Sequence, residues 1–195
     1  MIPCQTCEAP CCRAYHIGIS AWDAFRLARG LVVPLADFCV LSWRETPEAD
    51  YRILLDGSVP PEQRRYHALS LRKVPDPDPN YRLRCPFLVS VGAFGRCGAY
   101  EHRPLVCRTY PARVVHGVVT LDAGGRYCPP AGWHIADVDL VRARRRWDVY
   151  ETQRELDRRL IDAWNAAVIA SGAPRSAEDF LGFVEAVMGA MGEGE

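Results

Sequence analysis

The stretch Cys4-Gln5-Thr6-Cys7-Glu8-Ala9-Pro10-Cys11-Cys12 places four cysteines within nine consecutive residues at the very start of the chain. Domain termini usually fray, and exposed thiols are reactive there, so sulfurs this close together imply something that binds them and ties the terminus down. A C-x2-C step lets two thiolates reach one thiophilic ion, which is why it recurs in zinc and iron–sulfur sites. Two adjacent cysteines in an extended stretch point to opposite sides. Cys11 and Cys12 are therefore expected to serve two sites, or two metals of one polynuclear cluster.

A second group lies far along the chain: Cys85, Cys97, Cys107 and Cys128. Cys85 and Cys128 each precede a proline, as the last cysteine of the bacterial ferredoxin run does, where proline fixes the backbone and removes a donor. Eight thiolates suit two four-coordinate sites or one larger cluster. The ninth, Cys39, is expected to be a buried small hydrophobe.

The chain has 195 residues, enough for one domain that buries roughly 70% of its unfolded surface without disulfides. No basic n-region, apolar run or cleavage signal follows Met-Ile-Pro-Cys, and no eighteen-residue apolar stretch exists. The expected compartment is thus the cytoplasm, with no membrane partner, and in that reducing setting clustered cysteines favour metal over disulfides. Lys plus Arg and Asp plus Glu are both 24, so no global field attracts nucleic acid.

The local patterns predict an α+β single domain over 1–195. In it a cysteine-cluster core at 1–130 is followed by C-terminal helices at 137–190, with helices around small β-hairpins. Ser20-Ala-Trp-Asp23 reads as a capping box for a helix ending at Gly30, and Pro34 starts a second short helix through Trp43 that carries Cys39. Tyr51–Leu55 reads as a strand and Pro60–Leu71 as a helix. Val74–Asn80, with three prolines, reads as an extended connection. Hairpins are expected at Arg84–Tyr100 across Gly92–Gly95, and at Ala112–Leu121 across His116-Gly117, with a helical turn presenting Cys107 between them. A long helix runs from Asp137 to Ser171 with Val149, Leu156, Leu160, Trp164 and Ala167 on one line. A final helix is capped by Ser176-Ala-Glu-Asp179.

Taken together, the Cys4-x2-Cys7-x3-Cys11-Cys12 opening, Cys85-Pro-Phe-Leu88, Cys97-Gly-Ala-Tyr-Glu-His-Arg-Pro-Leu-Val-Cys107-Arg-Thr-Tyr-Pro111 and Cys128 resemble the YkgJ-type cysteine-cluster family, described as a zinc- or iron-chelating domain. The resemblance spans Cys4 to about Pro129 and implies that Cys4, Cys7, Cys11, Cys12, Cys85, Cys97, Cys107 and Cys128 are all metal ligands. It leaves Cys39 outside. More distantly, the pattern resembles the cysteine region of flagellin lysine methylase, which implies an iron–sulfur cluster. The family is named for its metal and not for a reaction.

Tetrahedral thiolate sets suit both zinc and iron–sulfur. Structural zinc sites typically offer two knuckles, whereas here only Cys4/Cys7 qualifies, so the expected cofactor is an iron–sulfur cluster of the [4Fe–4S] type, with Zn²⁺ as the alternative. Electron transfer or a modification reaction with a protein or redox partner would follow from the first. A structural module that binds a protein or nucleic acid without catalysis would follow from the second. Arg103 and Arg108 flank Cys107 and are candidates to offset the negative site from just outside the ligand set. The five histidines lack zinc-finger spacing, and the Arg142–Arg146 run reads as a solvated helix face without the aromatic platform of a nucleic-acid site. No catalytic residue is identified: P-loop, dinucleotide-binding and nucleophile-elbow motifs are all lacking.

Overall fold

The computed structural model describes residues 7–44, 52–121 and 134–192. Cys4, Cys128 and Tyr51 lie outside them. The chain is α+β, with small antiparallel sheets and a long C-terminal helix, and it divides into two compact units: 1–17 with 72–151, and 18–71 with 152–195. Among the described residues no helix is long and apolar enough to cross a membrane.

The first unit is built from short pieces. It begins with α1 (Pro10–Ala14) and ends with the opening turns of α5 (Leu140–Ser171). Between them β4 (Val74–Pro75) pairs with β5 (Leu83–Arg84), so the proline-punctuated segment is a clasp closed by a minimal ladder. Next come the hairpin β6 (Leu88–Val91) with β7 (Phe94–Cys97), α4 (Leu105–Thr109), and the hairpin β8 (Ala112–Val115) with β9 (Val118–Leu121). Register Val91↔Phe94 makes the first turn the pair Gly92-Ala93, with Gly92 at φ 59°, and not the four-residue loop expected. The second turn lies where expected, with His116 and Gly117 both at positive φ, as a turn matching the twist of its strands requires. Asp139 accepts from the backbone N–H of Arg142 at 2.9 Å and starts α5.

The second unit holds α2 (Ala21–Leu31), α3 (Leu35–Phe38), a sheet ordered β1-β3-β2, the rest of α5, and α6 (Ala177–Gly192). Ser20 caps α2 by accepting from the Asp23 N–H, but the helix passes Gly30 and stops with Val32 in the left-handed region. Cys39 does not lie on a helix. It opens β1 (Cys39–Arg44), opposite Leu71 of β3 (Tyr66–Leu71), and is 1% exposed. The helix expected over Pro60–Leu71 is confined to one 3₁₀ turn at Pro61–Gln63. From Tyr66 the pairing with β1 and with β2 (Ile53–Leu54) prevails over the local signal.

The buried side of α5 also differs from the expected line. Val149 and Leu156 are exposed, and the covered face is Asp157, Leu160, Ile161, Trp164 and Val168. These follow three- and four-residue steps with a polar member included. Trp164 meets Phe180 edge-on and Phe183 at a tilt, both of α6, and donates its indole N–H to the Leu54 carbonyl at 2.7 Å. Asn165 completes the end of β2, accepting from Leu54 N and donating to Arg52 O. Asp157 accepts from the Ala21 N–H at 2.6 Å, at the first turn of α2. The capping box of α6 forms as read, Ser176 and Asp179 each accepting from the other's backbone N–H.

Candidate metal centre

Six of the eight motif cysteines are described, and all six belong to the first unit. Cys39 belongs to the second. The six are carried by five separate pieces of chain: Cys7 on the entry loop, Cys11 and Cys12 on α1, Cys85 directly after β5, Cys97 at the end of β7, and Cys107 on α4.

Pro10 at the first helical position starts α1 immediately after the left-handed Ala9, so Cys11 and Cys12 sit on a helical turn and not on an extended strand. The expected opposed orientation fails for this reason. On a helix, adjacent side chains diverge by less than a strand's alternation, and here the Cys12 thiol donates to the Cys11 sulfur. That bond holds Cys11 down to about 7 and pushes Cys12 up, with burial raising both.

Backbone bonds lock the pieces together. The Cys12 carbonyl accepts from Cys85 N at 2.7 Å, and the Cys7 carbonyl accepts from Gly95 N at 2.9 Å. Gly95 is a glycine for steric reasons: a Cβ there would lie 2.5 Å from Ala9 Cβ and 2.9 Å from Leu88 Cδ1. On the other side, Tyr15 after α1 meets Tyr110 after α4 edge-on at 6.0 Å.

A local motif recurs at the sulfurs. The backbone N–H two residues on donates to the cysteine sulfur at Cys7 (from Ala9, 3.3 Å), at Cys85 (from Phe87) and at Cys97 (from Ala99). Proline or glycine follows Cys85 and Cys97 directly, which favours the tight turn such a bond needs. N–H donors aimed at sulfur stabilise thiolate over thiol, and such bonds tune metal–thiolate sites.

Burial works against ionisation. It pushes Cys85 up to about 11 and raises Cys97 and Cys107. Cys11, Cys85, Cys97 and Cys107 all lie within electrostatic reach of one another, and Cys12 is within reach of Cys11, Cys85 and Cys107. Arg103 lowers Cys11, Cys97 and Cys107, while Arg108 acts on Cys97. Arg103 donates to the Cys107 carbonyl at 2.6 Å, Arg108 to the carbonyls of Arg103 and Glu101, and Arg146 of α5 to that of Arg108. This ladder of guanidiniums holds α4 against the cysteines. Residues 1–17 with 72–151 hold fourteen basic against nine acidic residues, a net +5 that the chain's overall neutrality hides. A four-thiolate site around a divalent ion would bring about −2 into this surplus.

Sequence reasoning missed the clasp. Lys73 donates to the carbonyls of Cys12 (2.8 Å) and Arg13 (3.3 Å), and Asp76, with a side chain 0% exposed, pairs with Arg13 at 2.8 Å. Arg13 also lies 4.5 Å over the Tyr81 ring. Nothing in a Lys-Val-Pro-Asp string signals contact with residues some sixty positions earlier; only the run of prolines hinted at a rigid segment. Of the histidines, His16, His116 and His134 are exposed and His102 half-buried.

Among the described residues, no three histidine, cysteine, aspartate or glutamate side chains stand in a ready ligand geometry. A metal fits the site by the chemistry of its donors: soft sulfurs, N–H bonds to three of them, and facing guanidiniums. No curated protein and no solved structure gives a significant match to the chain. The family model CxxCxxCC, described as a "putative zinc- or iron-chelating domain", matches residues 3–129, which include every motif cysteine, and the chain belongs to that family.

Proposed function

We propose that the protein holds iron–sulfur clusters of the [4Fe–4S] type, with Cys4, Cys7, Cys11, Cys12, Cys85, Cys97, Cys107 and Cys128 as the donors, works in the cytoplasm, and serves electron transfer or a modification reaction with a protein or redox partner. The observation that carries the reading is the N–H···S turn at Cys7, Cys85 and Cys97, with the half-buried Cys11–Cys12 pair in the same unit. Burial resists ionisation at Cys85 and Cys97, and a fixed N–H donor to a cysteine sulfur is useful chiefly where that sulfur is to be negative.

Iron–sulfur is favoured over zinc by the wrapping of the donors: apart from Cys4/Cys7 and the Cys11–Cys12 pair they come singly from separate segments, and there is no second C-x2-C knuckle. When bound, the cluster supplies one-electron chemistry. Arg103 and Arg108 offset its charge, and the N–H donors orient the thiolates.

The test is anaerobic purification with metal and sulfide analysis. The expected result is a brown protein containing iron and acid-labile sulfide, and Cys7→Ser or Cys107→Ser should lower both metal content and melting temperature. Coupling of this size is expected because even a zinc site contributes about 10–16 kcal/mol of apparent binding energy, comparable to a domain's whole stability. A colourless protein with stoichiometric zinc overturns the iron–sulfur reading and leaves a structural zinc module. Full metal occupancy in both serine variants removes those residues from the ligand set.

A further inference from the structure

Lysine side chains normally run their ammonium out to water, because burying it without compensation is costly. Lys73 does the opposite. It turns inward from the start of the clasp and donates to two carbonyls at the end of α1, those of Cys12 and Arg13. A five-residue helix cannot satisfy its last carbonyls internally, so a cation there supplies the missing donors. The same ammonium lies within electrostatic reach of Cys85, Cys12 and Cys11, and of Asp76. Asp76 is already paired with Arg13, so it is the three sulfurs, once they are thiolates on a metal, whose charge Lys73 would offset.

Arg103 and Arg108 act on the site from the other chain segment. Arg103 reaches Cys11, Cys97 and Cys107, but it is not among the leading influences on Cys85, where Lys73 is. The cysteines thus lie within electrostatic reach of cations from two chain segments, one running into α4 and one in the clasp. The cysteine motif contains only the first.

We propose that Lys73 is a positioning residue of the metal site, a fixed positive charge that balances the Cys11, Cys12 and Cys85 sulfurs and holds α1 in place beneath the clasp. The inference rests on the reading of these cysteines as metal ligands. It assigns to the segment between α1 and the Cys85 motif a role in metal affinity that cysteine spacing does not reveal.

Three variants test it: Lys73→Met, which removes charge and donors but keeps the stem; Lys73→Gln, which keeps donors without charge; and Lys73→Arg, which keeps the charge. Arg82→Met, at an exposed position of the same clasp, is the control. The probe is Zn²⁺ alone, under anaerobic reducing conditions, in competition with a chromophoric chelator, alongside melting of the metal-free protein. Lys73→Met and Lys73→Gln are expected to weaken zinc binding by roughly 10–100-fold, the usual loss when a partner just outside the ligand set is removed. Lys73→Arg should recover most of it, and Arg82→Met should match wild type. Wild type that holds neither zinc in this assay nor iron after anaerobic purification overturns the metal reading itself. Wild type that binds, with Lys73→Met or Lys73→Gln binding equally well, overturns the role of Lys73. Equal loss of stability in metal-free and metal-loaded variants with zinc affinity unchanged also overturns it, leaving a purely structural cap. Should Lys73→Met fail to fold, the comparison of Lys73→Gln with Lys73→Arg decides alone.

Discussion

Replacing Gly95 by alanine tests whether the entry loop and β7 must touch for the site to form. The added Cβ would sit 2.5 Å from Ala9 Cβ, 2.9 Å from Leu88 Cδ1 and 3.2 Å from the Glu8 carbonyl. Carbon pairs rest at about 3.5–4.0 Å, so the loop must retreat by about 1 Å or more. The nearest atom is the methyl of Ala9, which has no rotamer by which to yield and is held in a left-handed conformation. Retreat also stretches the Gly95 N–H bond to the Cys7 carbonyl from its 2.9 Å. Overpacking of this kind costs about 1–3 kcal/mol, and a lost hydrogen bond about 1 kcal/mol more. If metal binding requires the loop in place, that strain comes out of the binding energy. At about 1.4 kcal/mol per tenfold, the summed cost of about 2–4 kcal/mol should lower zinc affinity by roughly 30- to 700-fold. Chelator competition with Zn²⁺ on wild type and Gly95→Ala reads this directly, and melting of the metal-free protein reads the strain without metal. Gly92, at positive φ but with nothing within 4 Å of a Cβ, is the companion site, where alanine is strained by conformation alone and should leave metal affinity unchanged. Gly95→Ala with wild-type affinity and wild-type melting would refute the close approach of loop and hairpin, and with it the position of Cys7.

Three further outcomes follow from the same geometry. Burial pushes the Asp157 carboxyl up to about 7, with the Ala21 N–H pulling it down and Asp23 adding to the rise. The folded state therefore keeps a proton that the unfolded chain loses near pH 4. The contribution of Asp157 to stability is fully present below about pH 4 and is lost as pH rises to about 7, by up to about 4 kcal/mol. Asp157→Asn, which can still accept from Ala21, should flatten that slope in urea melts, and an unchanged slope would assign it to another group. Cys39→Ala, in β1 of the second unit, should leave metal stoichiometry unchanged and cost modest stability; metal loss as large as in Cys107→Ser would break the division into eight and one. Arg103→Glu or Arg108→Glu should weaken metal retention and, for an iron–sulfur cluster, lower its midpoint potential, because added negative charge disfavours the reduced form. Arg159→Glu, whose partner Glu155 lies on an exposed helix face, should do neither, and identical behaviour of all three would place Arg103 and Arg108 outside the site's influence.

Much of the site was legible because its chemistry is local. A cysteine is a soft donor wherever it lies, C-x2-C is a chelating step on any backbone, and Cys-Pro or Cys-Gly announces a turn. The caps at Ser20 and Ser176 and the His116-Gly117 hairpin were legible for the same reason, since each depends on a few adjacent residues. Where one-dimensional pattern competed with long-range pairing, pattern lost. Tyr66–Leu71 has a helix-compatible start, yet it becomes the central strand because β1 and β2 flank it and satisfy its backbone. Cys39 was correctly expected to be buried from its surroundings, though its backbone was not, because a short apolar run reads alike as strand or helix.

What sequence alone determined is the family, the candidate donors and the kinds of element present, since these follow from residue identity and short-range spacing. Tertiary structure alone decided that Cys11 and Cys12 meet on one helical turn, that Gly95 admits Ala9, and that Lys73 and Asp76 grip α1 from some sixty residues away. Those contacts depend on which segments fold against each other. That choice is made by the whole chain satisfying its buried backbone and charges at once, and no local window carries it.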